Sequence, residues 1–301
     1  MDPEAPPTLE QICERAKALP CSPAVLPQLL AAIGSEESTA GEIERIVLLD
    51  SALAAATLRL ANSAYVSAGE PIGSVEQAIL MLGHREIYRI ASLTAVSRWE
   101  ERHHRSLPWE PGDYTRHSLC TALAAEAFAE RSDRVGSPPG GRLEPSASYT
   151  VGLVCDVGKL VLAYFCAPFY PRISALAAQA SLAWEDAEKQ VLGYHHSEVG
   201  ARLLSLWRFP EPYAQAVAWQ HSPEKAPAGA IGLVAQLHAA RYVAVCLGPG
   251  VTEEGFLYGL RGALLTEWGY TAEIIEQVMV EVRDRAVKRL GDRLSVGLPK
   301  G

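Results

Sequence analysis

The residues of this chain that could do chemistry centre on the run Cys-Asp-Val-Gly-Lys at positions 155–159, inside the apolar helical stretch Tyr149 to Phe165. A cysteine thiolate, a carboxylate and the imidazoles of His196 and His221 form a donor set that suits a zinc-type ion. Such an ion activates water when one coordination position stays open. We expect no metal, and if one is held, Cys155, Asp156, His196 and His221 are its candidate ligands.

Three of these residues also have a plain structural interpretation. Cys155 lies in an apolar segment, where a thiol is usually a buried and inert hydrophobe, and we favour that interpretation. His196 stands at the start of a predicted helix, where hydrogen bonding to the helix end is as reasonable as a site role. His221 follows Trp219 at a predicted helix end, where the helix dipole favours a cation, so a plain C-terminal histidine is expected.

Two further residues belong to the candidate set. His117 is four positions after Asp113 and could form an i,i+4 pair with it on one helix face. Lys159 could meet a phosphate, although a lysine that snorkels to the surface from an apolar helix is the commoner case.

The elements that must position these residues are predicted to be helices. Alanine and leucine dominate, and apolar residues recur at helical spacing, as in Leu53, Leu58 and Ala61. Thr39 and Glu42 form a plausible capping box. The sequence predicts an all-α fold in two helical subdomains, 1–108 and 109–301, with a flexible loop at 133–148 that is rich in proline and glycine.

Composition limits the partners and the compartment. The formal net charge is −8, and the basic residues are interleaved with acidic ones, which argues against a nucleic-acid surface. No run reaches the roughly 18 apolar residues needed to span a bilayer. The first residues lack a signal-peptide pattern, and none of the six cysteines falls in a CxxC pair. We therefore expect a cytoplasmic protein that binds neither nucleic acid nor membrane.

An ordered set of short motifs extends over about residues 10 to 245. It begins with Leu19-Pro20, Pro23 and Val25, then Asp50 to Leu53, Leu58 to Tyr65, and Ile72 to Gly83. It continues with His117-Ser118, Gly152-Leu153, the 155–159 run, His196 to Ala201, Trp207, Pro210 and His221. This set resembles the HDOD domains, the HD-related output domains of bacterial signalling proteins.

The resemblance implies an all-helical fold, in which an N-terminal helical bundle packs on an HD-like half. It also implies a regulatory and catalytically inactive role in signal transduction, exercised by binding a signalling protein or a small ligand such as a nucleotide. The alternative is a surviving metal-dependent phosphohydrolase that acts on nucleotides or cyclic dinucleotides. A third interpretation is a purely structural interaction protein that uses an apolar face such as Leu264 to Trp268. A homodimer is possible, and no cofactor is expected.

The related HD and HD-GYP phosphohydrolases hold their metal with histidines and aspartates. By resemblance, His117 matches the first ligand, Asp156 the aspartate of the His-Asp pair, and His196 and His221 further histidines of the HD-GYP branch. Three positions depart from the pattern. Gln220 replaces the first histidine of a His-His pair, Cys155 replaces the central histidine, and Arg241 replaces the closing aspartate.

Arg241 is the most consequential departure, because a guanidinium cannot ligate a metal and carries a permanent charge. We hypothesise that Arg241 pairs with Asp156 and replaces the metal centre as a structural lock. The candidate pocket is then the degenerate site, made of His117, Cys155, Asp156, Lys159, His196, His221 and Arg241.

Overall fold

The computed structural model describes residues 5–17, 28–29, 31–32, 39–49, 51–65, 72–103, 109–131, 144–248 and 261–290. Every regular element in these ranges is an α-helix or a short 3-10 helix, and none is a strand. The all-α prediction is therefore confirmed. Of the predicted features, the motif residues 19–25, Asp50 and positions 133–143 of the predicted loop lie outside the described residues.

The helices of the described ranges follow one another along the chain. They are, in chain order, α1 (Leu9–Lys17), α2 (Ala40–Leu48), α3 (Ser51–Tyr65), α4 (Val75–Leu82), α5 (His84–His103), α6 (Asp113–Glu130), α7 (Pro145–Val154), α8 (Val157–Phe165), α9 (Tyr170–Ala180), α10 (Trp184–Leu192), α11 (His196–Leu206), α12 (Glu211–Trp219), α13 (Ile231–Leu247), α14 (Gly262–Glu267) and α15 (Ala272–Leu290). Two 3-10 helices, Ala167–Phe169 and Pro223–Lys225, precede α9 and follow α12.

The chain divides into two compact units. Unit 1 comprises Met1–Ala18 and Glu100–Gly301, and unit 2 comprises Leu19–Trp99. The predicted subdomain boundary at 108/109 divides the chain at a different place, since it assigns residues 1–18 and 100–108 to the first subdomain. In unit 1, α1 packs against α11, which gives the N-terminal helix its place beside the second half of the chain.

Unit 2 is built from helices whose ends carry local caps. The Thr39 side chain accepts a hydrogen bond from the backbone N–H of Glu42 (3.3 Å), which is one of the two hydrogen bonds of the predicted capping box. Ser74 caps α4 in the same way through the N–H of Gln77 (3.1 Å). Gly83, at φ 78°, ends α4 in a backbone conformation that favours glycine. Helices α2, α3 and α4 pack against one another.

The centre of unit 1 is α6, which is buried from Asp113 to Ala129 except at Arg116 and packs against α7, α13 and α15. A distant carboxylate caps its first turn. Glu100, itself buried, accepts hydrogen bonds from the backbone N–H groups of Gly112 (2.9 Å), Tyr114 (3.2 Å) and Thr115 (3.0 Å). This cap satisfies helix-end donors and fixes the helix that carries His117.

Helices α7 and α8 run through the interior of unit 1. Helix α7 begins at Pro145, and the Glu144 side chain caps it by accepting from the N–H of Ser146 (2.8 Å). The prediction of a loop as far as residue 148 is therefore wrong for residues 145–148. Proline is favoured at a first helical position, which explains the early start. Among the described helices, Pro145–Phe165 is long and apolar enough to cross a membrane, but 89% of its most apolar window is buried within the fold. Core packing accounts for that composition.

Candidate functional site

The candidate site is built around the turn between α7 and α8, which presents Asp156 to the interior of unit 1. Gly158 lies on the first turn of α8, and a Cβ atom at this position would be 1.9 Å from the carbonyl oxygen of His196. Only glycine permits this approach of α8 to α11. As a result His196 Nε2 lies 3.9 Å from Asp156 Oδ1, with both side chains buried.

Asp156 is surrounded by cationic and hydrogen-bonding groups from three helices. Its Oδ2 is 3.1 Å from His117 Nε2 on α6, and its Oδ1 is 3.1 Å from Arg241 Nη2 on α13. Lys159 Nζ lies 3.6 Å from the same Oδ1. Burial alone would raise the pKa of Asp156, but Arg241, Lys159 and His117 together hold it well below its ordinary value. The carboxylate is therefore ionised in the folded protein.

Arg241 is fully buried and links Asp156 to a histidine. Its Nη1 is 3.0 Å from Nε2 of His221 and 3.2 Å from Nδ1 of the same ring. Burial and the neighbouring guanidinium hold the pKa of His221 well below its ordinary value. Because a guanidinium only donates hydrogen bonds, the neutral His221 ring must accept one from Arg241.

Two carboxylates on α10 contact the Nδ1 atoms of His196 and His221. Glu188 Oε2 is 2.6 Å from His196 Nδ1 and 2.8 Å from the His196 backbone N. Glu185 Oε1 is 3.4 Å from His221 Nδ1. The Nε2 atoms of His196 and His221 are 2.8 Å apart. Histidines oriented by a carboxylate on one ring nitrogen are also typical of metal-ligating histidines.

Glu188 is completely buried, and burial raises its pKa to about 7, although the N–H of His196, the charges of Lys159 and His195, and the indole N–H of Trp184 oppose the rise. The 2.8 Å contact between the rings needs a proton on one of the two Nε2 atoms. The 2.6 Å contact with Glu188 needs a second proton, carried by Glu188 Oε2 or by His196 Nδ1. The cluster therefore holds protons in the interior of unit 1.

The sequence patterns did not identify Glu185 and Glu188 as site residues. Glu188 has one local signal, the spacing Trp184-x-x-x-Glu188, where the indole N–H donates to Glu188 Oε1 (2.9 Å) one helical turn away. Glu188 is separated from its partner His196 by eight residues, across the end of one helix and the start of the next. Helical periodicity alone cannot show that such a pair meets.

Several structural interpretations of single residues are wrong. Lys159 does not snorkel to the surface, since it is fully buried against Asp156. His117 does not pair with Asp113, because that aspartate binds Arg116 and the imidazole turns inward to Asp156. His221 is not a plain helix-end histidine, because it contacts Arg241 and His196. Tertiary packing decides each of these cases.

Cys155 and two residues of the predicted apolar face lie in the core of unit 1. Cys155 is buried, as expected of a structural cysteine, and its Sγ donates to the carbonyl of Gly152 at 3.2 Å. Burial raises the pKa of this thiol far above its ordinary value. The proposed apolar face from Leu264 to Trp268 has Leu265 and Trp268 buried within unit 1, so these two residues are not exposed for assembly.

A divalent metal does not fit these residues as they are arranged. The Arg241 guanidinium lies within hydrogen-bonding distance of both Asp156 and His221, which are two members of the candidate ligand set. It would repel a metal ion at that position. The third member, Cys155, directs its thiol to Gly152. Within the described ranges, no group of three or more His, Cys, Asp or Glu side chains is arranged to hold a metal.

A cavity of about 480 Å³ lies next to the buried cluster, and His221 belongs to both. Of the predicted pocket residues, only His221 lines it; His117, Asp156, His196 and Arg241 are packed behind. The lining consists of Ala183, Trp184, Glu185, Asp186, Lys189, His195, Ala218, Trp219, His221, Ser222, Lys225, His238 and Arg261.

Known proteins resemble this chain in sequence and in fold. The family model described as the HDOD domain matches residues 19–223. An uncharacterized protein of Treponema pallidum is 21% identical over 216 residues, which are 72% of this chain and 40% of that protein. The chain therefore spans about two fifths of the length of this curated relative.

Three solved structures share the fold. An HDOD domain protein of unknown function from Geobacter sulfurreducens is 21% identical, with a TM-score of 0.69 over 93% of this chain and 97% of that one. A candidate signal transduction protein from Marinobacter aquaeolei is 22% identical, with a TM-score of 0.68 over 94% and 61% of the two chains. A candidate phosphohydrolase from Shewanella amazonensis is 22% identical, with a TM-score of 0.63 over 92% and 93%.

Proposed function

This chain belongs to the HDOD domain family, and we propose that it is a catalytically inactive signal-transduction module that acts by binding a protein partner or a small ligand. The observation that carries this proposal is the position of Arg241. Its guanidinium contacts Asp156 and His221, the residues that resemblance identifies with metal ligands. A permanent cation at this position supports a structural role for the cluster.

The charges of the cluster support the same proposal. Asp156 is 1% exposed, and an isolated carboxylate at such depth is costly. Arg241 and Lys159 supply two positive charges within 4 Å, and His117 supplies a hydrogen bond. The carboxylate thus has the compensation that a metal would otherwise give. In this proposal the cluster locks α6, α8 and α13 together, and signalling uses other surfaces.

The second candidate function is a metal-dependent phosphohydrolase, and one observation favours it. The pairs Glu188–His196 and Glu185–His221 have the carboxylate–imidazole arrangement that orients metal-ligating histidines. The name of the Shewanella amazonensis protein, which shares the fold, points to the same chemistry. For this candidate, Arg241 would have to move away from Asp156 before a metal could bind.

The deciding experiment measures metal content and hydrolysis on the same preparation. The protein is purified without a polyhistidine tag or chelator and analysed for zinc, iron and manganese. It is then assayed with bis(p-nitrophenyl) phosphate in the presence of added Mn²⁺ or Zn²⁺. We expect less than stoichiometric metal, no activity above background and no rise in melting temperature on addition of either ion.

The contrary result is equally clear. Stoichiometric metal, together with activity that is lost in the variant Asp156→Ala, would overturn the proposal and establish the phosphohydrolase. The matched control is Asp284→Ala, because this carboxylate of α15 is 59% exposed and lines neither the cluster nor the cavity. Activity retained in Asp156→Ala would show a contaminant rather than this site, and activity lost in both variants would show a general loss of structure.

A further inference from the structure

The cavity beside the cluster has an uneven distribution of charge. Its cationic side chains Lys225 and Arg261 come from the 3-10 helix after α12 and from the residue before α14. Its acidic side chains Glu185 and Asp186 come from the first turn of α10. Lys189, from the same helix, is paired with Glu198 at 3.2 Å. We call Lys225 and Arg261 the cationic part of the lining and Glu185 and Asp186 its acidic part, and different elements supply them.

The cationic part is held in place and accessible. The backbone N–H of Arg261 donates to His238 Nε2 (3.2 Å), and His238 Nδ1 is 2.8 Å from the carbonyl oxygen of Gln220. The Arg261 side chain is 52% exposed, and its ion pair with Glu224 is long, at 3.7 Å. Such an exposed pair contributes little energy, so an anion that offers two or three oxygens can displace it.

The acidic part is suited to a hydrogen-bond donor. Asp186 is exposed at the cavity, while Glu185 is half-buried against His221. A carboxylate oxygen accepts N–H bonds, and its two oxygens match a pair of adjacent donors. A simple polyanion would be repelled here. A ligand that fills the cavity thus needs an anionic group at one place and amino or imino groups at another.

An aromatic surface also lines the cavity. Trp219, at the end of α12, is only partly buried and lines the cavity together with the buried Trp184. An exposed indole face stacks on flat aromatic rings, and base stacking of this kind contributes about 1–3 kcal/mol. A volume of about 480 Å³ lies within the range of small-molecule sites.

From these features we infer that the cavity binds a nucleoside monophosphate. The phosphate lies at Lys225 and Arg261, the base stacks on Trp219, and its amino group reaches the carboxylates of α10. This inference rests on the proposed function, because it names a ligand class for a binding module. His221 lines the cavity and contacts Arg241, so the bound ligand lies one hydrogen bond from the buried cluster.

The test is isothermal titration calorimetry of the full chain with AMP and GMP, compared with adenosine, guanosine and inorganic phosphate. We expect at least one of the two nucleotides to bind in the micromolar range. Its nucleoside and phosphate alone should bind about tenfold more weakly or worse, because each keeps only part of the contacts. The double variant Lys225→Ala/Arg261→Ala should lose affinity for the nucleotide and keep the weak affinity for the nucleoside.

The matched control is Lys288→Ala, which removes an exposed cation of α15 that does not line the cavity. Nucleotide affinity should be unchanged in this variant. The inference is overturned if neither nucleotide binds at millimolar concentration, if the nucleoside binds as tightly as its nucleotide, or if the control loses as much affinity as the double variant.

The same titrations separate this inference from the proposed function. Release of inorganic phosphate from the bound nucleotide would contradict the inactive module but leave nucleotide binding established. Failure of both nucleotides to bind would overturn the inference and leave a module that binds a protein partner.

Discussion

Two groups of charged side chains in unit 1 use similar residues in different surroundings. In the Asp156 cluster (Asp156, Arg241, Lys159, His117), every side chain is at most 2% exposed. In the Glu281 cluster (Arg131, Glu281, Arg285), the side chains are 21–30% exposed, and Glu281 binds Arg131 at 2.5 Å and Arg285 at 2.9 Å. The shorter ion pairs are found in the more exposed cluster.

A short distance therefore does not identify the ion pair that matters more for stability. Water and salt screen the Glu281 cluster, so loss of one partner is largely compensated by solvent. The Asp156 cluster has no such compensation, because removal of one partner leaves a charge in the interior. We therefore expect large, salt-independent effects at Asp156 and small, salt-dependent effects at Glu281.

The largest effect is expected for Arg241→Ala. The substitution leaves Asp156 without its nearest cation and removes the donor to His221, and breaking a buried pair costs about 3–5 kcal/mol of unfolding free energy. Urea unfolding at low and high salt measures this loss. The control Arg283→Ala removes a 43% exposed guanidinium and should change stability by about 0.5 kcal/mol or less. Equal stability of the Arg241 variant and the parent protein would contradict the hypothesis that the Asp156–Arg241 pair is a structural lock.

A smaller effect is expected from the pH dependence that Glu188 confers. Its pKa rises from 4.5 to about 7 on folding, so the folded protein binds this proton more tightly than the unfolded chain does. The contribution to stability is complete below pH 4.5 and is lost as the pH rises through about 7. The shift corresponds to about 3 kcal/mol. The difference in unfolding free energy between the parent protein and Glu188→Gln should fall by about this amount between pH 4 and pH 8.

Two histidines change stability with pH in the opposite direction to Glu188. Burial lowers the pKa of His238 to about 4, and that of His195 also to about 4. These histidines weaken the fold as the pH falls through the range from 6.5 to 4, the opposite direction to Glu188. They are also common to both proteins in the comparison. A constant difference between the parent protein and Glu188→Gln across the pH range would contradict the buried proton.

The smallest effect is expected for Glu281→Ala. Burial would raise the pKa of Glu281, but the hydrogen bonds and charges of Arg131 and Arg285 lower it. Because the pairs are partly exposed, their loss should cost about 1 kcal/mol or less and shrink further at high salt. Arg285 also keeps its contact with Glu126, at 2.5 Å. If this variant lost as much stability as Arg241→Ala at every salt concentration, the comparison between the clusters would fail.

Much of the site could be predicted because its key residues stand in short motifs. The contact between Asp156 and Arg241 was hypothesised from the family resemblance, which places Arg241 at the position of a metal-binding aspartate, and the two side chains do meet at 3.1 Å. Burial of Cys155 followed from its apolar neighbours. The roles of Lys159 and His117 could not be predicted, because a lysine on an apolar helix and a histidine near an aspartate each have a common local alternative.

The sequence by itself determined the helical fold, since periodic apolar residues, caps and turn residues act within a few positions of one another. It also determined which cation stands where related enzymes have an aspartate. Tertiary structure alone decided that Glu188 contacts His196 and that Lys159 is buried. It also decided that, of the predicted pocket residues, His221 is the one that lines the cavity. These contacts depend on which faces of α6, α8, α10, α11 and α13 pack together. Asp156 is 39 residues from His117 and 85 from Arg241, and no local pattern encodes such a meeting.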